Sequence, residues 1–299
     1  MLRRVDVRVP DHCEEPLLGL AERHGMQVFS SPCIVDTGGG EEDYRLTGET
    51  VVSFLFSTVE QNADDFGKAI DQWLAAECPE APKPEIRDYA DDEDWMRTFR
   101  QYFQPIQVAE GIVVRPPWCD PLPGEEHGIT LLIDPGMAFG TGTHETTRLC
   151  LRLMKGIRVS GGHFLDLGAG SGILSFALIK KGAAFVEAVE IDGPAIENLR
   201  KNADLNGIKS DALFVVCGNL AHFSPRKPAD GLVANISSPI LLEHLPHLAT
   251  FLASGAWAVF SGINSTNAPA LRKAFSASPW NLVQEETEGE WHGFLTRRA

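Results

Sequence analysis

Three valines, Val5, Val7 and Val9, alternate with charged positions at the start of the chain, the period-two pattern of a half-buried strand. From Glu14 to His24 apolar residues recur at helical spacing (Leu17, Leu18, Ala21), and Gly25 closes the helix. Val28–Val35 and Val51–Val59 read as strands separated by a Gly38-Gly39-Gly40 turn and an acidic loop. Ala63–Ala76 puts Phe66, Ala69, Ile70, Trp73 and Leu74 on one helical face, and a short strand near Glu85–Arg87 completes β-α-β-β-α-β. That succession is the ferredoxin-like plan, with the order of strands in the sheet left open by periodicity.

Between Glu77 and Asp94 the pattern breaks into eight acids with prolines at 79, 82 and 84, the composition of a boundary or of a solvated acidic loop. Asp94–Phe103 follows with Trp95, Phe99, Tyr102 and Phe103 at roughly helical spacing, a stripe suited to packing against a domain. From His163 onward strands and helices alternate: strand His163–Leu167, helix Gly172–Lys181, strand Phe185–Ile191, helix Pro194–Asn206, and strands Leu213–Cys217 and Gly231–Asn235. A helix Pro239–Leu252, a strand Trp257–Phe260, a helix Leu271–Phe275 and a closing strand Glu290–Thr296 complete the series. Such alternation predicts an α/β, doubly wound parallel sheet. Asp192 is placed to cap the helix that Pro194 opens and Gly207 ends. The expected organisation is a small α+β domain over 1–90, a linker helix with connecting strands over 91–128, and the large sheet domain over 129–299.

The most informative local run is Asp166-Leu167-Gly168-Ala169-Gly170-Ser171-Gly172, on a strand-to-helix turn. Glycines there permit close approach of backbone to a ligand, and a helix start offers amide groups to a negative group. A dinucleotide fingerprint would want glycine at 173, where Ile173 stands. With glycines at 168, 170 and 172 the loop instead looks like the form that binds S-adenosylmethionine, whose methionine carboxylate would sit by the amides. Glu190, 22 residues after Gly168 at the end of the next strand, can accept both ribose hydroxyls of an adenosine. Asn219 is placed either to touch the adenine edge or to make a turn. Asn235 ends the fourth strand, where ligands of open α/β sheets sit, and its carbonyl can accept from an incoming amine or simply shape a turn. A second run, Asp134 to Thr147, has three glycines and four threonines leading into a helix with Leu149, Cys150, Leu153 and Met154 on its inner face. Its length and glycine content suit a lid. Thr143 is the expected cap, Thr147 can turn its hydroxyl to a cofactor, and His144 is a proton acceptor or, more commonly for a lone histidine, a structural hydrogen-bonding group.

Composition narrows the setting. The 299 residues carry 26 Lys+Arg against 41 Asp+Glu, a net charge of −15. That balance argues against holding nucleic acid by electrostatics and fits a basic protein partner or plain solubility. No apolar run is long enough to span a membrane, and the residues after Met1 lack the apolar core of a secretion signal. The expected location is therefore the cytoplasm. Six cysteines stand far apart in sequence and read as scattered thiols, with no zinc or disulfide framework and no metal site.

The runs Asp134–Thr147 and Asp166–Gly172, followed by Ala234-Asn235-Ile236 and Ser261-Gly262-Ile263, closely resemble the PrmA family, methyltransferases of ribosomal protein eleven of the large subunit. Trp95, Phe103, Pro105, Pro117 and Trp118 resemble the pattern preceding its catalytic domain, so the likeness covers Asp94 to the C-terminus. Asn219 departs from a common Asp, and Ser237-Ser238-Pro239 from a Leu/Ala-rich continuation. The resemblance implies an N-terminal ferredoxin-like domain that recognises the substrate protein, a linker helix, and a class I, Rossmann-like domain that N-methylates lysine side chains and the α-amino group. It implies cofactor contacts from Thr147, Gly168, Glu190 and Asn235, with Asp166 and Gly170 in the same turn, and a wall around the methyl group from Phe139 and the Gly140, Thr141 to His144 loop. A related enzyme acting on another client, a nicotinamide-dependent oxidoreductase and a non-catalytic cofactor sensor are the competing readings. The oligomeric state, a monomer included, is left open.

Overall fold

The structure, a computed structural model, describes residues 2–23, 27–36, 44–57, 62–89, 103–134, 140 and 142–299. The chain divides into two compact units, Met1–Tyr102 and Phe103–Ala299. The aromatic stripe at Trp95, Phe99 and Tyr102, the triple-glycine turn, and Phe139 and Thr141 lie outside the described residues.

In the first unit β1 (Leu2–Pro10), α1 (Glu14–Arg23), β2 (Gln27–Asp36), β3 (Tyr44–Ser57), α2 (Asn62–Glu77) and β4 (Glu85–Tyr89) follow the expected succession. The sheet runs β2-β3-β1-β4, with each described pairing antiparallel, the ferredoxin-like arrangement. Val5, Val7 and Val9 are buried with Leu17, Phe66 and Ile70 from the helices. The charged partners of those valines do not all face water, as strict alternation would have them do. Arg4 and Asp6 are buried on the opposite face, where Arg4 Nε donates to Asp6 Oδ1 (2.5 Å) and the Ser53 hydroxyl donates to the same oxygen (2.6 Å). β1 lies inside the sheet, between β3 and β4, and a buried charge is tolerated there because it is paired. Cys13 and Cys78, remote in sequence, are free thiols as expected, buried with their sulfurs 3.0 Å apart.

The second unit opens with a small sheet, β5 (Ile106–Ala109), β6 (Ile112–Arg115) and β7 (Ile129–Leu132). α3 (Glu145–Leu153) leads to the main alternation: β8 (His163–Leu167), α4 (Ile173–Lys180), β9 (Phe185–Glu190), α5 (Gly193–Leu205), β10 (Leu213–Cys217), β11 (Ala229–Asn235), α6 (Ser238–Leu248), β12 (Leu252–Asn264), α7 (Ala268–Ser276), β13 (Trp280–Glu288) and β14 (Trp291–Arg298). The seven-stranded sheet is ordered β10-β9-β8-β11-β12-β14-β13. The first five strands are parallel, and β14 runs antiparallel to both its neighbours. Strand order reverses between β9 and β11 around β8, the switch point beyond which ligands of doubly wound sheets bind.

Both faces of the inner parallel strands are buried, as such strands require. Phe164, Val186 and Val233 pack with α3 and α4 on one side, while Leu165, Leu167, Leu232 and Phe260 pack with α6 and α7 on the other. The predicted helix Pro239–Leu252 ends earlier. A 3-10 turn at Ala249–Phe251 closes it and Leu252 already belongs to β12. Sequence patterning missed β13, an edge strand whose Leu282 and Val283 are exposed. Ion pairs hold it instead: Arg148 Nε donates to Glu288 Oε1 (2.7 Å) and Arg152 Nε to Glu286 Oε2 (3.1 Å), so the edge is stitched to α3.

Candidate active site

β8 ends at Leu167 and the chain turns through Gly168–Gly172 into α4. Gly168 adopts φ +73, and a Cβ there would stand 2.4 Å from Ile236 Cγ2, so the turn and the end of β11 meet where only glycine fits. The expected row of vacant amides is not there. Gly168 and Ala169 donate to the Val189 carbonyl (2.9 and 3.0 Å), Gly170 to Glu190 Oε2 (2.8 Å) and Gly172 to the Ala169 carbonyl (2.8 Å). The turn curls so tightly that its own amides serve β9 and itself. What it leaves vacant is an acceptor. Asp166 is fully buried; its Oδ2 accepts from the Ser175 amide and hydroxyl (2.9 and 2.6 Å), while Oδ1 has no partner among the described residues. Burial pushes this carboxyl up to about 7, against the Ser175 hydrogen bonds and with a smaller push from Glu190.

Glu190 closes β9 with its carboxylate folded back on the backbone. Oε1 accepts from the Ile191 and Asp192 amides (2.8 and 3.0 Å), and Oε2 from Gly170. A carboxylate offers about four lone-pair sites, so three are in use. Accepting two hydroxyls would require releasing at least one backbone donor. Asn219 spends its side-chain oxygen on the Ala221 amide (2.9 Å), starting a short 3-10 turn, which is the turn-making alternative.

Asn235 is held from one side by two threonines. Its Nδ2 donates to Thr146 Oγ1 (3.1 Å) and Thr147 Oγ1 (3.4 Å). Thr146 Oγ1 lies 2.8 Å from His144 Nδ1, which also accepts from the Thr146 amide (3.2 Å). Because Nδ1 accepts from that amide, the Thr146 hydroxyl donates toward it and offers Asn235 a lone pair, which orients the amide by its bonding network. Asn235 Oδ1 therefore points away from the threonines, buried and without a partner among the described residues. Burial first, and Arg148 less strongly, lower the His144 pKa against the opposing pull of Glu145 and Glu288. The imidazole is thus neutral near pH 7, as an acceptor at Nδ1 must be. His144, not Thr143, caps α3, because its ring reaches the Thr146 amide and also rests edge-on against Trp291 (centroids 5.0 Å apart).

Thr147 is fully buried and Gly140 accepts from the Ser171 hydroxyl (2.6 Å). The structure thus gathers Asp166, Gly168, Gly170, Glu190, Asn235, Thr147, His144 and Gly140 around the ends of β8, β9 and β11, with Asn219 at the end of β10.

The pattern of the family described as "Ribosomal protein L11 methyltransferase (PrmA)" matches residues 16–299. This chain belongs to that family. A ribosomal protein L11 methyltransferase of Desulforapulum autotrophicum is 32% identical over 281 residues, covering 93% of this chain and 86% of the relative. That of Symbiobacterium thermophilum is 37% identical over 211 residues, covering 70% and 67%. The crystal structure of a ribosomal protein L11 methylase from Lactobacillus delbrueckii subsp. bulgaricus superposes with TM-score 0.60 at 31% identity, covering 66% of this chain and 99% of that one. The chain is accordingly an S-adenosylmethionine-dependent methyltransferase with a Rossmann-like sheet.

The PrmA-family site fits that cofactor at Asp166 Oδ1, a buried acceptor without a partner among the described residues, since the cofactor's ammonium is an N–H donor. Sequence reasoning overlooked three contributors: Ser175, which fixes Asp166; Ser171, which fixes Gly140; and Asn202 of α5, which holds the Ser171 peptide of the turn from behind. The signal available was Asn198, Asn202 and Asn206 at i, i+4, i+8, weak helix formers repeated on one face.

Proposed function

We propose that this PrmA-family protein methylates lysine side-chain amines, and the N-terminal amine, of ribosomal protein L11 in the cytoplasm, and that its first unit recognises that substrate protein. The buried acceptor Asn235 Oδ1, turned away from the threonines by the Thr146–His144 bonding and without a partner among the described residues, is the observation that carries the amine chemistry. A primary amine needs one acceptor to direct an N–H while its lone pair points at carbon, and Asn235 supplies it without becoming a base. When bound, S-adenosylmethionine supplies a methyl already activated by a sulfonium charge, so the chain's task is alignment and delivery of an unprotonated amine. A free lysine has pKa ~10.4; exclusion of water and the neighbouring positive charge lower it. His144 keeps Nδ1 occupied and serves Asn235 through Thr146, while Thr147 supports the same amide. Glu190 would hold the ribose after surrendering a backbone donor, Asp166 would take the methionine ammonium, Asn219 would meet the adenine, and Gly140 would lie on the methyl side, where Phe139 and Thr141, outside the described residues, are the further candidates. The net charge of −15 favours approach of a basic ribosomal protein without nucleic acid contact.

Mass spectrometry of L11 after incubation with enzyme and S-adenosylmethionine is expected to show added methyl groups on lysines and the N-terminus. An unmodified L11, with a different protein labelled in cell extract, overturns the client assignment.

The Asp166 carboxyl adds a pH dependence. Its proton leaves near the ordinary carboxyl range in the unfolded chain but at about 7 in the folded one, so its contribution to stability is full below the unfolded value, falls as pH rises, and levels off above about 7. Affinity for the cofactor's ammonium runs the other way, because only ionised Asp166 attracts it. Calorimetric affinity for S-adenosylhomocysteine is expected to rise about tenfold between roughly pH 6 and pH 8, and Asp166→Asn is expected to flatten that slope. An equal slope in the variant removes Asp166 from the cofactor site.

A further inference from the structure

Asn198 and Asn202 on α5 and Asn206 at its C-cap stand one turn apart and turn their amides toward two different pieces of backbone. Asn206 pairs with the end of β7, accepting from the Leu132 amide (3.0 Å) and donating to its carbonyl (2.6 Å). Asn198 Nδ2 donates to the Asp134 carbonyl (3.2 Å). Asn202 does both jobs: Oδ1 accepts from the Asp134 amide (2.8 Å), while Nδ2 donates to the Ser171 carbonyl (3.1 Å) and to Asn198 Oδ1 (3.1 Å). Ser171 in turn donates its hydroxyl to the Gly140 carbonyl (2.6 Å). Asn202 and Ser171 are fully buried, so each of these polar groups would be stranded if its partner moved. Asn198 and Asn202 weaken a helix interior that alanine or leucine would strengthen, Asn206 being the C-cap, and what is gained in exchange is a fixed distance between β7, Gly140 and the glycine turn.

We propose that Asn202 is a positioning residue for the cofactor. It touches none of the groups assigned to the cofactor, yet it fixes the Ser171 peptide inside the Gly168–Gly172 turn and ties it to Asp134, so that the turn holds its binding shape before the cofactor arrives. The proposal rests on the reading that this turn holds S-adenosylmethionine. Asn206 is its internal control, because its bonds run to Leu132 and to the helix's own Asn202 carbonyl and never to the turn.

Asn202→Leu and Asn206→Leu are compared in the full-length protein for melting temperature, calorimetric Kd for S-adenosylhomocysteine, and kcat and KM for S-adenosylmethionine. Both variants are expected to melt lower. Asn202→Leu is expected to raise Kd and KM at least about tenfold, with kcat at saturating cofactor within about threefold, the signature of lost binding rather than lost chemistry. Asn206→Leu is expected to leave Kd within about threefold of wild type. Asn202→Ser, which fits the same space, is read identically should the leucine variant fail to fold. Equal losses of affinity at both positions, or an Asn202 variant that binds like wild type while melting lower, overturn the proposal and leave the ladder a purely structural device. Wild-type protein that fails to bind S-adenosylhomocysteine overturns the cofactor reading of the turn itself.

Discussion

Asn235→Ala is expected to lower kcat by about a hundredfold or more, equivalent to about 3 kcal/mol in the barrier, while Kd for S-adenosylhomocysteine changes by less than about tenfold. The asymmetry follows from the geometry. The Asn235 amide nitrogen is committed to Thr146 and Thr147, and its oxygen is the buried acceptor left without a partner among the described residues. Alanine removes the group that would direct an amine, leaving the glycine turn, Asp166 and Glu190 in place. Steady-state kinetics with L11 and calorimetry with the product nucleoside separate the two. Unchanged turnover would end the role assigned to Asn235. Thr146→Val, which leaves Asn235 present but frees its amide to rotate, is expected to give a smaller loss in kcat of the same kind.

Gly262→Ala is expected to destabilise the protein by about 3 kcal/mol and to impair turnover with it. Gly262 lies in β12 at φ +82, and a Cβ on it would sit 2.3 Å from the Ile236 carbonyl oxygen and 2.8 Å from its carbon. The obstacle is backbone, which no rotamer change relieves, and the backbone in question follows directly on Asn235. Gly255→Ala separates the two sources of cost. Gly255 has φ +76, and a methyl added there would meet nothing within 4 Å, so it carries only the left-handed penalty of about 1–2 kcal/mol. Urea unfolding of the pair tests this: equal losses would show that the contact with Ile236 contributes nothing.

Much of the fold is legible in the sequence because its signals are local. Period-two valines, helical spacing ending at glycine, and an Asp192 that caps α5 through the Ala195 amide (3.1 Å) all act within a few residues. The order β2-β3-β1-β4 and the burial of Arg4 and Asp6 are not legible, since they depend on which strands end up flanking β1. β13 escapes because an edge strand held by Glu286 and Glu288 shows few inward apolar positions. In the site, motif spacing locates Asp166, Glu190 and Asn235, but it cannot show that the turn's amides are already donated to Val189 and Glu190. Nor can it show that His144 reaches Asn235 only by way of Thr146. Those facts belong to tertiary hydrogen bonding, and the sequence carries them only as unexplained polar residues such as Asn202.

The insertion of β14 between β12 and β13 has a consequence for biosynthesis. A ribosome delivers β8, β9 and β11 long before it delivers Trp291, yet Trp291 braces the ring of His144 and β14 pairs along β12 from Trp257 to Asn264. During that interval the nascent sheet carries an open flank at β12 beside Phe260 and Ile263, an exposure that invites mispairing until the late strand arrives.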